Sequence, residues 1–169
     1  MTPRPTAFCL LLLLGLAGCS HYQLGTESKL AFTTLYVEPV ANKTLLPQAQ
    51  TVVSTPLRAA FITDARVTLV NSAAAADATL AITITDYHRG MTAAREDDTG
   101  LARKFVLTLG TSCTLRDNRS GKLLFEKRAI VVKRDVFTDS GQLQAEYQDL
   151  PLLAEDLAKR VTHTVLDVW

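Results

Sequence analysis

Three histidines, three cysteines and a scatter of carboxylates are the groups in this 169-residue chain that could carry chemistry. The most suggestive spacing is Asp86-Tyr87-His88. Side chains alternate along a strand, so Asp86 and His88 share a face, as a general base and its orienting carboxylate would. No Ser or Cys nucleophile has a recognisable setting nearby, and neither G-x-S-x-G nor H-E-x-x-H occurs. The pair therefore reads as the polar end of a strand, and no enzymatic activity is expected. The histidines and the cysteine of the folded body lack zinc-ligand spacing. Glu96-Asp97-Asp98 lacks the rest of a calcium loop. Gly90, Gly100, Gly110 and Gly121 are too dispersed to cradle a phosphate, so neither metal nor cofactor is expected. Cys113 falls at an inward, apolar strand position and reads as inert packing.

The chemistry that the sequence does announce is a processing event. Met1 to Pro5 offers the α-amino group and Arg4, and Ala7 to Leu16 follows without a charge. A ten-residue helix rises about 15 Å, half the hydrocarbon thickness of a bilayer, so this run fits the apolar region of a signal peptide. It ends in Leu16-Ala17-Gly18-Cys19, which resembles the lipobox of bacterial lipoproteins. That resemblance implies lipid attachment at Cys19, cleavage before it, and acylation of the new amine. Acyl chains contribute about 0.8 kcal/mol per buried methylene and hold a protein on a membrane without a spanning helix. Ser20, where an Asp would favour inner-membrane retention, implies the outer membrane, facing the periplasm. Residues 1–18 are thus the expected signal peptide, 19–32 a lipidated tether that contains His21, and 33–169 a single domain. Cys9 leaves with the signal peptide and Cys19 is the lipid site. Cys113 is then a lone thiol without an intramolecular partner.

The elements that must be positioned follow from periodicity. Leu35 and Val37 alternate with Thr34 and Tyr36 in a strand closed by Pro39, and Asn42-Lys43-Thr44 reads as loop. Pro47 suits a helix start, and Ala49, Val52, Val53, Leu57, Ala60 and Phe61 form a helical stripe ending near Asp64, with a kink expected at Pro56. Val67 to Val70 is a short strand, and Ala73 to Ala76 one helical turn. In the next strand Leu80, Ile82 and Ile84 face one way and Thr79, Thr83, Thr85 and Tyr87 the other. Phe105, Leu107, Leu109, Cys113 and Leu115 alternate with Lys104, Thr108, Ser112 and Thr114. Asp117-Asn118-Arg119-Ser120-Gly121 is a hairpin turn, and Leu123 to Phe137 returns as a strand. Its alternation slips between Phe125 and Ile130, where a β-bulge would restore the register. Pro151 is expected to open the last helix, with Leu153, Leu157, Val161, Val165 and Val168 at helical spacing and Trp169 at its end. The order β-α-β-β-β-β-α, with one apolar face per element, predicts an α/β two-layer sandwich: two helices packed on one face of a mostly antiparallel mixed sheet.

Two surfaces then stand out. Thr79, Thr83, Thr85, Thr108, Ser112 and Thr114 project away from the helices and make a polar, flat, almost uncharged face. Thr suits a solvated sheet face, and such a face can also be buried against another protein with few desolvated charges. Basic residues gather at the two ends of the long hairpin, Arg95, Arg103 and Lys104 with Arg89 at one, Arg119 and Lys122 at the other. Arg and Lys of this kind could clamp a phosphorylated lipid headgroup, though Glu96, Asp97, Asp98 and Asp117 dilute both clusters.

Composition sets the outer bounds. With 47% hydrophobic and 21% charged residues, and Lys+Arg 18 against Asp+Glu 17, the chain is an ordinary globular protein. Its formal net charge of +1 argues against a nucleic-acid partner.

The ordered set of segments is similar to a known family. Gly18 to Leu24, Leu35 to Thr44, Leu57 to Phe61, Arg66 to Val70 and Ala76 to Leu80 resemble the lipopolysaccharide-assembly lipoprotein (LptE) family. The resemblance implies an outer-membrane lipoprotein that sits as a plug inside a large β-barrel (LptD). Members assist barrel assembly and deliver lipopolysaccharide to the outer leaflet. The Thr face would meet the barrel interior, and Arg95, Arg103, Lys104, Arg119 and Lys122 are the candidate lipopolysaccharide contacts. The alternative is a periplasmic lipoprotein that activates a peptidoglycan synthase or builds a secretion-pore oligomer.

Overall fold

The computed structural model describes residues 30–94, 102–137 and 142–167. Apolar alternation builds β1 (Thr34–Val37), with Leu35 and Val37 buried. Pro39 has no N–H to give the ladder, and the chain resumes as a two-residue β2 (Ala41–Asn42), where the sequence reads as loop. An Asx turn then lifts the chain off the sheet: Asn42 Oδ1 accepts from Thr44 N at 2.9 Å and from Thr44 Oγ1 at 2.8 Å. Helix α1 (Ala49–Thr63) follows, entered through Gln48 at φ 54 and running on through Pro56. After it come β3 (Thr68–Leu69), a 3-10 turn (Ala73–Ala75), β4 (Ala78–Ala94), β5 (Ala102–Asp117), β6 (Leu123–Phe137) and α2 (Gln142–Leu166).

The strand order is β3-β1-β4-β5-β6, with β2 alongside β4 beyond the end of β1. β1 runs parallel to β3 and β4, whereas β4, β5 and β6 form an antiparallel meander. The expected architecture holds: two helices on an open mixed sheet. One core joins the layers. Ala49, Val53, Leu57 and Phe61 of α1, and Leu153, Leu157, Val161 and Val165 of α2, bury against Leu35, Leu80, Ile84, Leu107, Leu109 and Leu115. Each such aliphatic side chain contributes about 1.5–3 kcal/mol on full burial. Leu30 and Phe32, ahead of β1, also pack on this core.

Two further details depart from the sequence expectation, and both have local causes. The register of β4 against β5 shifts between Ile84 and Asp86, so Thr85 is an extra residue. A β-bulge of this kind inverts the alternation beyond it. Tyr87, expected on the outer face, instead pairs with buried Leu109 and packs against the core. The second departure is the start of α2, at Gln142 rather than at Pro151, which lies inside the helix. The stretch ahead of Pro151 is held mostly by polar links to the sheet. Glu146 accepts from the Tyr87 hydroxyl and from Arg89 at 3.0 Å, and Asp149 accepts from Arg134 at 2.8 Å. These offset the backbone hydrogen bond that Pro151 lacks. The bulge expected in β6 is present: the register shifts opposite Cys113 and Leu115, with Lys127 at φ 47.

Candidate functional site

Strand pairing assigns the outer face residue by residue, because directly opposed residues share a side. Thr79 lies opposite Arg116, Ala81 opposite Thr114, Thr83 opposite Ser112, and His88 opposite Thr108. On β6, Ala129 continues the row of Ser112, Val131 that of Gly110, and Lys133 that of Thr108. Thr85 and Asp86 both flank Gly110: a Cβ there would lie 3.2 Å from Asp86 Cβ and 3.8 Å from Thr85 Oγ1. All six hydroxyl residues singled out from the sequence therefore occupy one face.

They are not equally available. Thr79 is 3% exposed, and its hydroxyl donates to Asn118 Oδ1 at 3.0 Å. Thr108 is 5% exposed. Thr114 Oγ1 accepts from Lys127 N at 3.1 Å, in the β6 bulge. Thr83, Thr85 and Ser112 present the accessible hydroxyls, framed by Ala81, Gly110, Ala129 and Val131. Sequence reasoning passed over these four small or apolar residues. The signal for Ala129 and Val131 was the odd-numbered alternation of β6 beyond its bulge.

The basic candidates lie far apart. Lys104 lies thirteen strand positions before the end of β5 at Asp117, about 43 Å at 3.3 Å per residue, and Arg119 sits in the turn beyond, so the two ends of the hairpin form separate surfaces. Lys104 pairs with Asp135 at 2.8 Å and sits 5.7 Å from the Phe137 ring. Arg119 pairs with Asp77 at 2.5 Å, while Lys122 is exposed. Arg95 lies outside the described residues, as do the Arg103 side chain, Cys19, His21, Glu96 to Asp98 and Trp169.

Asp77 organises the Arg119 end. Its Oδ2 accepts from Thr33 N at 3.0 Å, Thr33 Oγ1 at 2.9 Å and Thr34 N at 3.0 Å. These donors favour the charged form and hold the carboxyl well below the ordinary carboxylate range. Asn118 closes the same corner, donating to Ala73 O at 3.0 Å and Ala76 O at 2.9 Å. At the far end of α1, Arg66 bridges Asp64 at 2.8 Å and Asp167 at 2.6 Å, fastening the last turn of α2.

The groups with catalytic potential sit as follows. His88 Nδ1 lies 2.9 Å from Asp86 Oδ2, with both side chains more than half exposed on the open sheet face. A general base works in a water-poor setting that aims it at a substrate, and this pair is solvated. Tyr87, half-buried, is raised above the ordinary tyrosine value by burial and by its hydrogen bond to Glu146. Burial pushes the Cys113 thiol up to about 11, although the Thr111 hydroxyl 3.9 Å away opposes the shift. Among the described residues no three His, Cys, Asp or Glu side chains are placed to hold a metal ion. No described helix is long and apolar enough to cross a membrane.

The fold recurs in solved structures. A minor lipoprotein from Acinetobacter baumannii is 18% identical, covering 82% of this chain and 95% of its own, with a TM-score of 0.56. An uncharacterised lipoprotein B from Nitrosomonas europaea is 20% identical over 85% of this chain and 86% of its own, with a TM-score of 0.55. A protein from Xanthomonas campestris, 12% identical over 82% of this chain and 86% of its own, reaches a TM-score of 0.61. No curated protein matches the sequence. These likenesses show the fold. The family is shown by the sequence model described as LptE, lipopolysaccharide-assembly, which matches residues 32–165. By that match, which takes in every described strand and nearly all of α2, the chain belongs to the LptE lipopolysaccharide-assembly family.

Proposed function

We propose that this chain is a non-catalytic outer-membrane lipoprotein, anchored through Cys19 and facing the periplasm, that seats against a large β-barrel of the LptD kind. In that seat it assists barrel assembly and the delivery of lipopolysaccharide. The observation that carries the reading is the outer sheet face. Family membership points to lipopolysaccharide assembly, and this face offers Thr83, Thr85 and Ser112 among Ala81, Gly110, Ala129 and Val131. A polar surface with few charges can be buried against a barrel's hydrophilic interior without stranding an unpaired ion. Lys104, Arg119 and Lys122 are the described cations that could meet phosphorylated lipid at the two ends of the hairpin. Each end would act alone, given their separation.

The test is a mild-detergent pull-down of the tagged, lipidated chain from its own membranes. A stoichiometric large barrel should co-elute with the unaltered chain. Ser112→Arg, a charge placed on the half-buried row beside Thr83, should lower its recovery about tenfold or more, about 1.4 kcal/mol. A chain that elutes without a barrel, or with a peptidoglycan synthase in its place, overturns the reading.

A further inference from the structure

The β3-facing edge of β1 runs on past the strand that covers it. Thr33 O accepts from Thr68 N at 2.9 Å and Leu35 O from Val70 N at 3.0 Å. Backbone groups of a strand repeat their direction every second residue, so the Val37 carbonyl points to the same side. By then β3 has ended, at Leu69. Pro39, next in the row, has no N–H to give. From the Val37 carbonyl onward, this edge therefore offers acceptors and no donor.

A cleft of about 270 Å³ opens at this point, between the edge and α1. Tyr36 and Glu38 line it from the β1 side, and Ser54 and Arg58 line it from α1. Ser54 and Arg58 are four residues apart and share a helix face. All four side chains are half-buried. Arg58 and Glu38 thus bring opposite charges to one cleft, yet among the described residues neither makes an ion pair or a hydrogen bond. Arg134, also half-buried, shows the usual outcome: Asp149 holds it at 2.8 Å and Asp156 at 3.4 Å.

A molecule that fills the cleft must bring an acceptor for the guanidinium and a donor for Glu38 and the Val37 carbonyl. A carboxylate matches the planar fork of an arginine with two parallel bonds. We infer that the cleft binds an α-carboxylate together with the nitrogen on the same carbon. Arg58 and Ser54 take the carboxylate, and Glu38 and Val37 O take the nitrogen. Two sources carry this group. A free amino acid presents an ammonium, which pairs with Glu38. The carboxyl terminus of a peptide presents an amide N–H, which extends the β1 row through Val37 O. The cleft uses none of the residues assigned to the barrel seat, so the inference does not rest on that reading.

Calorimetric titration of the full lipidated chain in mild detergent tests it, with alanine, trialanine and trialanine amide as probes. Alanine, trialanine or both should bind with a Kd of about 1 mM or tighter, and the amide about tenfold more weakly than the acid. Arg58→Met should weaken whichever probe binds by about tenfold or more, whereas Lys122→Met, which removes an exposed cation in the β5–β6 turn, should change it by less than about twofold. Glu38→Gln separates the sources, since it should weaken alanine about tenfold and trialanine far less. Circular dichroism checks that each variant is folded. Binding of neither probe overturns the inference. So does equal binding of trialanine and its amide, or an equal loss in Arg58→Met and Lys122→Met.

Discussion

Gly110 lies where the β4 bulge presses against β5, and its replacement sets two effects of known size against each other. A glycine inside a strand costs about 0.5–1 kcal/mol relative to alanine through the freedom it loses on folding. The first added carbon would stand 3.2 Å from Asp86 Cβ, a few tenths of an ångström inside ordinary carbon contact. Gly110→Ala should therefore come out between neutral and about 1 kcal/mol destabilising, since the crowding consumes the entropic gain. Valine adds two methyl groups to a site where Thr85 Oγ1 and Val131 Cγ2 are already 3.8 Å from that first carbon. Overpacking of this kind costs about 1–3 kcal/mol, so Gly110→Val should lose about 1–2 kcal/mol net. Gly90, on the same strand as the bulge, has nothing within 4 Å of the position a Cβ would take, so Gly90→Ala should gain about 0.5–1 kcal/mol. Urea unfolding gives both numbers, provided the slope is unchanged. Gly110→Val and Gly90→Ala should differ in melting temperature by roughly 3–12 °C at about 2–4 °C per kcal/mol. A Gly110→Val protein as stable as the parent, or a Gly90→Ala protein as weak as Gly110→Val, would refute the account of why a glycine faces the bulge.

Three further predictions concern the polar ties and the buried thiol. Glu146→Ala leaves the half-buried Tyr87 hydroxyl without its acceptor, at a cost of about 1–2 kcal/mol. Hydrogen exchange should then quicken roughly 5–30-fold for amides 143–150 and stay unchanged from Leu153 onward, whereas a uniform change would contradict a separately tethered helix start. The depressed Asp77 carboxyl gives stability that is complete above the unfolded value, about 3.9, and is lost as pH falls below it toward the folded value. Asp77→Asn should flatten stability against pH in that acid range, and an unaltered profile would count against Asp77 as its source. With its thiol up at about 11, Cys113 should resist alkylation at pH 8 in the folded chain and react fully in denaturant, as quantified by mass spectrometry. Labelling without denaturant would show that the site opens.

Legibility tracked the kind of force that holds each element. Apolar stripes were readable, which is why α1, the body of α2 and the inward rows of β4 and β5 lie where periodicity put them. The β6 bulge was also readable, because Phe125 and Ile130 are both large, both inward and of opposite parity. The β4 bulge was not. Thr83 and Thr85 suit either face, and the one contrary signal was Gly110 on the neighbouring strand. Pro151 reads as a helix start because no apolar stripe precedes it. What holds that stretch is Glu146 to Tyr87 and Arg89 and Asp149 to Arg134, partners far away in sequence. The outer face was legible as a set of hydroxyls, but their availability was not. Burial of Thr79 depends on Asn118, 39 positions away, and the Thr114 contact depends on the backbone of the second bulge.

The place of β1 in the sheet also orders events in time. Thr34 pairs with Thr68 on one side and, on the other, bonds to Asp77 across 43 residues. Leu35 and Val37 therefore have nowhere to bury when they are first made, whereas β4, β5 and β6 close on one another through successive hairpins. Loop closure over long separations must precede its reward, so the meander is the natural nucleus and β1 docks late. Substitutions such as Leu35→Ala should then hasten unfolding while leaving refolding nearly untouched, and Leu107→Ala should slow refolding. A chain synthesised from its N-terminus thus carries its first strand as an open end until the β4–β6 meander is in place to receive it.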